Sequence, residues 1–263
     1  MYPDARLSST SADSARIDAP GMGSDRGSTQ QPPLFFGILP QDFARIRAAA
    51  CANEFARGEV LFVEGEAVRR VLLLTSGLVK VTKLGLSGTE VILRLSTPGD
   101  VLGAIGLVST GLHAATTQAF RSCRALSWDA STFKSLSERY PVMYSNMVRM
   151  LSSHLMELEG RFHEVATEKV EPRVACQVMR LLKQVGRTVA RGIEIGLSRE
   201  ELAQMTGTTL FTVSRLLSAW EARGIVEPGR EVVTVRNYPA LRAIAADECD
   251  SNGCSNLCTG GCT

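Results

Sequence analysis

The sequence predicts an α+β chain in three parts: an all-β barrel or roll, one long helix, and a helical C-terminal domain closed by a hairpin. Three observations predict it. Short apolar runs separated by glycine turns fill residues 54–128. A 3.5-residue apolar repeat fills 144–165. Two short helical patterns with caps and a glycine break occupy 198–223.

Residues 1–33 are rich in Ser, Asp, Gly and Pro and show no apolar period, so they are expected to form a disordered arm. The arm holds acids and no long apolar core, which argues against a secretory leader. No apolar run reaches the roughly 18 residues of a membrane span. Structure is expected from Leu34-Phe35-Phe36, with a short amphipathic helix after Pro40 that carries Phe43, Ile46 and Arg47.

The roll is expected over 34–140. Its strands read as Val60-Leu61-Phe62-Val63, Val71-Leu72-Leu73-Leu74, Leu78-Val79-Lys80-Val81 and Val91-Ile92-Leu93-Arg94-Leu95. Glu64-Gly65-Glu66, Ser76-Gly77 and Pro98-Gly99-Asp100 read as the turns. No long helix separates these strands, which disfavours a parallel α/β sheet.

A continuous helix is expected over 141–166, after Tyr140-Pro141. Tyr144, Val148, Leu151, Leu155, Leu158, Phe162 and Val165 follow one another at intervals of four and three. Met143, Met147, Met150 and His154 form a second stripe beside them. One stripe can lie on the roll. The other, Val148 to Val165, can meet the same helix of a second copy in a two-fold dimer. The alternative is a core helix that packs wholly within its own chain.

The last domain is expected over 167–240. Val174, Val178, Leu181, Leu182 and Val185 mark an amphipathic helix. Ser198 and Glu201 form a capping box that starts a second. Thr206-Gly207-Thr208 breaks it, Gly207 supplying the positive φ of a tight turn. Thr209 caps a third helix, which stops at Gly224. Ala203, Val213 and Leu216 can pack these two together as a helix-turn-helix. Ile225-Val226-Glu227, Pro228-Gly229-Arg230 and Val232-Val233-Thr234-Val235 read as a wing. A plain αα-hairpin has a similar pattern, and twelve Lys/Arg against ten acids over 168–248 do not decide between them. Caps, wing and a preceding dimer helix together point to DNA, with the last helix in the major groove of a palindromic operator. Thr208, Thr209, Leu210, Phe211, Thr212, Ser214 and Arg215 are the candidate contacts. Arg215 suits guanine or a phosphate; Phe211 suits a thymine methyl or packing on the neighbouring helix.

In this order, with Glu64-Gly65-Glu66, Ser76-Gly77, Pro98-Gly99-Asp100 and Thr212-Val213-Ser214-Arg215-Leu216-Leu217, the chain resembles the Crp/Fnr family of bacterial transcription regulators over about Phe35 to Leu241. The resemblance implies a cyclic-nucleotide-binding-like roll (a double-stranded β-helix), a homodimer, a cytoplasmic location, and RNA polymerase as a partner. It also implies where an effector would sit. Members that bind cyclic AMP use a Gly-Glu pair and, about ten residues on, an Arg-Ser pair. Here Ala104 stands in the place of the glutamate, and Ala114 and Ala115 in that of Arg-Ser. A buried phosphate without a counter-charge is costly, so no cyclic AMP is expected. His113 could replace the arginine only weakly, a loop histidine being more often just solvated. Many members have glutamate where Phe211 stands, and phenylalanine cannot accept from a cytosine amino group.

The cysteines are unevenly placed. Cys51, Cys123 and Cys176 sit singly in apolar settings, as small buried hydrophobes do. Cys249, Cys254, Cys258 and Cys262 fall within the last fifteen residues, in a tail expected over 241–263. Without an export signal, metal or redox chemistry is the better reading. The spacing lacks the C-x2-C of a structural zinc site. Thiolates on a loop of small residues suit an iron–sulfur cluster, although the spacing matches no named cluster motif. The resemblance to Fnr-like members, which sense oxygen through a [4Fe-4S] cluster, makes that centre the expected one. Another metal, a thiol switch and an incidental tail remain open. So does a regulator whose roll binds a different small molecule. Paired carboxylates, a Ser/His/Asp order and a phosphate loop are absent from the sequence, which argues against an enzyme.

Overall fold

A computed structural model of the protein describes residues 31–246. The chain starts in a 3-10 turn, Pro33–Phe35, that places Leu34 and Phe35 in the core. The expected disordered arm therefore lies outside the described residues except for its last three, and Pro33 is already ordered. Helix α1 (Pro40–Ala48) follows, its proline at the first turn where a missing N–H costs nothing. Trp128 donates from its indole to the Ile46 carbonyl at 2.9 Å, pinning α1 to the roll.

The roll holds β1 (Cys51–Phe55), β2 (Val60–Phe62), β3 (Arg70–Leu84), β4 (Glu90–Ser96), β5 (Val101–Leu102) and β6 (Thr116–Asp129). All pair antiparallel in the order β1-β6-β3-β4, with β2 also on β6 and β5 on β3. The sequence suggests a turn at Ser76-Gly77. Instead β3 runs through it, and the ladder with β6 shifts register between Leu74 and Val79. Gly77 has φ +85°, and a Cβ there would lie 2.3 Å from the Ser122 carbonyl, so only glycine fits this bulge. Strand β1 begins at Cys51, which is exposed rather than buried. A short helix α2 (Ala104–Val108) interrupts the strands, and α3 (Ala130–Arg139) closes the roll.

Helix α4 (Val142–Thr167) is continuous, as the repeat requires. Met143 and Met147 are buried in one core with Leu34, Phe35, Trp128 and Phe133, so the methionine stripe is the one that lies on the roll. Asn146 reinforces this, donating to the Leu34 and Phe36 carbonyls at 2.9 and 2.8 Å. Beyond Met150 most of α4 is exposed, with His154, Gly160, Arg161 and Glu164 half-buried.

The C-terminal domain contains α5 (Val170–Val185), β7 (Arg187–Val189), β8 (Gly192–Ile195), α6 (Arg199–Thr206), α7 (Leu210–Ala222), β9 (Val226–Pro228), β10 (Val233–Val235) and α8 (Tyr238–Ala246). Its sheet runs β7-β8-β10-β9. The β7–β8 hairpin and α8 go beyond what the sequence pattern shows. Leu241, Ile244 and Ala245 of α8 are buried, so the domain continues past residue 240, into the stretch expected to be tail.

Candidate nucleic-acid interface and effector pocket

Local chemistry builds the helix-turn-helix. The Ser198 hydroxyl accepts from the Glu201 amide at 3.1 Å while the Glu201 carboxylate accepts from the Ser198 amide at 2.6 Å, completing the capping box. Gly207 takes φ +61° and closes α6, with the Thr208 amide bonded to the Ala203 carbonyl at 3.2 Å. The Thr209 hydroxyl accepts from the Thr212 amide at 3.2 Å and starts α7. Leu202, Ala203, Val213 and Leu217 bury the inner faces of the two helices, with Leu216 packed against them.

This packing turns the other side of α7 outward. Leu210 is 44% and Phe211 84% exposed. Phe211 therefore does not pack on the neighbouring helix. Thr209 and Arg215 are exposed beside it, with Thr208, Thr212 and Ser214 half-buried. All seven candidate DNA contacts thus lie on the turn or on α7. Trp220, fully buried, seats the helix from behind, its indole N–H on the Glu171 carboxylate at 2.8 Å. The sequence pattern does not reveal that anchor.

The expected dimer stripe is open on α4. Val148, Leu151, Leu155, Leu158, Phe162 and Val165 range from 40% to 76% exposed in the single chain. The two stripes therefore part: methionines inward, the heptad stripe outward.

The roll departs from the effector expectation at one residue. His113 is buried, not solvated, and its ring stacks on Phe62 with centroids 4.0 Å apart. Burial lowers its pKa; Arg70 adds to the effect and Glu66 opposes it. Burial thus disfavours the charged imidazole, which makes it a poor partner for a phosphate. Ala104 is buried and Ala114 exposed, neither with a polar group to offer. The cation beside this stack is Arg70, whose guanidinium sits 5.9 Å from the Phe55 and Phe62 ring centres. The four tail cysteines, Cys249, Cys254, Cys258 and Cys262, lie outside the described residues. Among the described residues no group of acids, histidines and cysteines could hold a metal ion. Nor is any described helix long and apolar enough to cross a membrane.

Comparison with known proteins agrees with this architecture. Residues 52–140 match the cyclic nucleotide-binding domain family, and residues 172–244 the Crp-like helix-turn-helix domain family. The cyclic AMP receptor protein of Thermus thermophilus is 28% identical over 213 residues, covering 81% of this chain and 96% of that protein. The fumarate and nitrate reduction regulatory protein of Escherichia coli is 22% identical, covering 72% and 76%. The structure of FixK2 from Bradyrhizobium japonicum superposes with a TM-score of 0.65 at 23% identity, over 74% of this chain and 96% of that one. Two family matches in this order, spanning more than half of the chain, place it in the Crp/Fnr family of DNA-binding transcription regulators.

Proposed function

We propose that the protein works in the cytoplasm as a homodimer that reads a palindromic operator with α7 and presents promoter DNA to RNA polymerase. The observation that carries this reading is the pair of open surfaces on one chain. An apolar heptad stripe faces outward on α4, and a polar and aromatic face stands outward on α7. The first suits a second copy. The second suits a major groove, where two half-sites one helical turn apart match a two-fold dimer. Arg215→Ala is expected to cost about 1–3 kcal/mol of operator binding and to relax preference at one position of each half-site. Equal weakening on all duplexes makes Arg215 a phosphate contact. Phe211→Glu is expected to shift the preferred base next to that position in a binding-site selection.

The signal is the second part of the proposal. Cys249, Cys254, Cys258 and Cys262 act as thiolate ligands of one redox-responsive centre, a [4Fe-4S] cluster in the first instance, and cyclic AMP is not the effector. The buried, stacked His113 and the apolar Ala104 and Ala114 support the second half of that statement. The sequence clustering of the thiols supports the first. Anaerobic protein is expected to contain iron and sulfide and to lose both on truncation after Asp247. Calorimetry with cyclic AMP is expected to show no binding. Micromolar cyclic AMP binding, with iron absent, would return the signal to the roll and make the tail incidental.

A further inference from the structure

The wing and the first helix of the helix-turn-helix do not stand free of the roll. Arg57, in the turn between β1 and β2, pairs with Glu231 at the tip of the wing, guanidinium to carboxylate 2.8 Å. Arg121 of β6 donates to the Gly196 carbonyl at 3.3 Å, two residues before the α6 cap. Phe120, Leu197 and Glu201 wall a small cavity of about 90 Å³ beside these contacts. Behind them lies an apolar seam, in which Ile92, Leu95 and Phe120 of the roll share one core with Leu197, Leu202 and Met205. Arg161 of α4 stitches it, donating to the Leu93 carbonyl, to the Ile92 carbonyl at 3.4 Å and to the Met205 carbonyl at 3.1 Å.

The charge at this seam is the informative part. A wing tip and the start of the first helix flank the recognition helix, where a duplex brings its phosphates. Here Glu231 stands beside Arg230 at the wing tip and Glu201 beside Arg199 at the helix start, so each place holds a carboxylate that repels phosphate next to a cation. Arg57 attracts both, and holds the Glu231 carboxyl below its ordinary pKa by hydrogen bond and charge. Glu231 is placed to hold the roll, while the Glu201 carboxylate is engaged in the capping box. We propose that the Arg57–Glu231 pair is a latch that keeps the DNA-binding domain docked on the roll and lowers its affinity for DNA. The inference rests on α7 being the DNA-reading helix. DNA favours the undocked arrangement, and the latch biases the equilibrium against it. An exposed pair is a modest bias, screened by salt.

The test is a double-mutant cycle on the full chain, with R57A, E231Q and both, read by anisotropy on a selected operator duplex at low salt. R57A removes a positive charge, yet the latch predicts about two- to five-fold tighter DNA binding, the scale of one exposed ion pair. E231Q is expected to gain less in the R57A background than in the wild type. Without DNA, R57A is expected to speed hydrogen exchange over 196–205 and 226–235. Unchanged or weaker binding by R57A, strict additivity of the two changes, or unaltered exchange each overturn the latch. A wild-type chain that binds no duplex overturns the reading of α7 as well, so the two failures are told apart.

Discussion

Replacing Leu155 and Leu158 together by glutamate should leave the protein monomeric and reduce its operator affinity to the non-specific level. Both leucines lie in the outward stripe of α4, 54% and 40% exposed in the single chain. Burying a leucine side chain is worth about 1.5–3 kcal/mol, and in a two-fold seam each position counts twice. Glutamates there would meet their own copies across the axis as unpaired like charges. Losing one half-site removes the specific margin, about a thousand-fold or more. The roll should survive, because α4 is anchored to it by Met143, Met147 and Asn146 on the other face. Sedimentation velocity is the measurement, and an intact dimer in the L155E/L158E protein would sink the seam.

The second large effect is expected at Trp220. This side chain is fully buried in the core shared by α5, α6, α7 and α8, and its backbone carbonyl accepts from the Ile225 amide at 2.9 Å where the chain turns toward the wing. Trp220→Ala opens a cavity behind the recognition helix. It should cost about 3–5 kcal/mol in urea unfolding and abolish specific DNA binding. Trp220→Phe keeps most of the packing and loses the bond to Glu171. That bond ends on a carboxylate that water can reach, so about 0.5–1.5 kcal/mol is expected. A Trp220→Ala protein within 1 kcal/mol of wild type, on that same scale, would show that α7 is seated by its other contacts.

What the sequence discloses and what it conceals divide along physical lines. Local rules were legible. Ser198 with Glu201, Gly207 and Thr209 mark the helix-turn-helix because each acts within four residues of itself. The heptad stripe was legible because a 3.5-residue period is written along one helix. Residues whose role is set by distant neighbours were not. Gly77 reads as a turn until the Ser122 carbonyl is placed against it. His113 reads as a loop residue until Phe62 lies under its ring. Phe211 has two roles that hydropathy cannot separate, and only the packing of Val213 and Leu217 turns it outward. Helix α8 hides behind Tyr238-Pro239, where a proline in the first turn looks like the end of a domain.

The closing strand of the roll also bears on how the chain comes into being. Strand β6 is the common partner of β1, β2 and β3, and its Ser127 meets Cys51 across 76 residues. Synthesis runs from the N-terminus, so β1 and one edge of β3 leave the ribosome before their partner exists. The long ladder cannot zip until Thr116–Asp129 has emerged, and pairings of such sequence separation close slowly. During that interval Val71-Leu72-Leu73-Leu74 is an unpaired apolar edge, the kind of surface that aggregates or is held by chaperones. The DNA-binding domain waits in its turn, because α5 packs on α8 and Glu171 takes the Trp220 indole across 49 residues. Within the roll, the arrival of β6 is thus the step that ends the exposure of that edge.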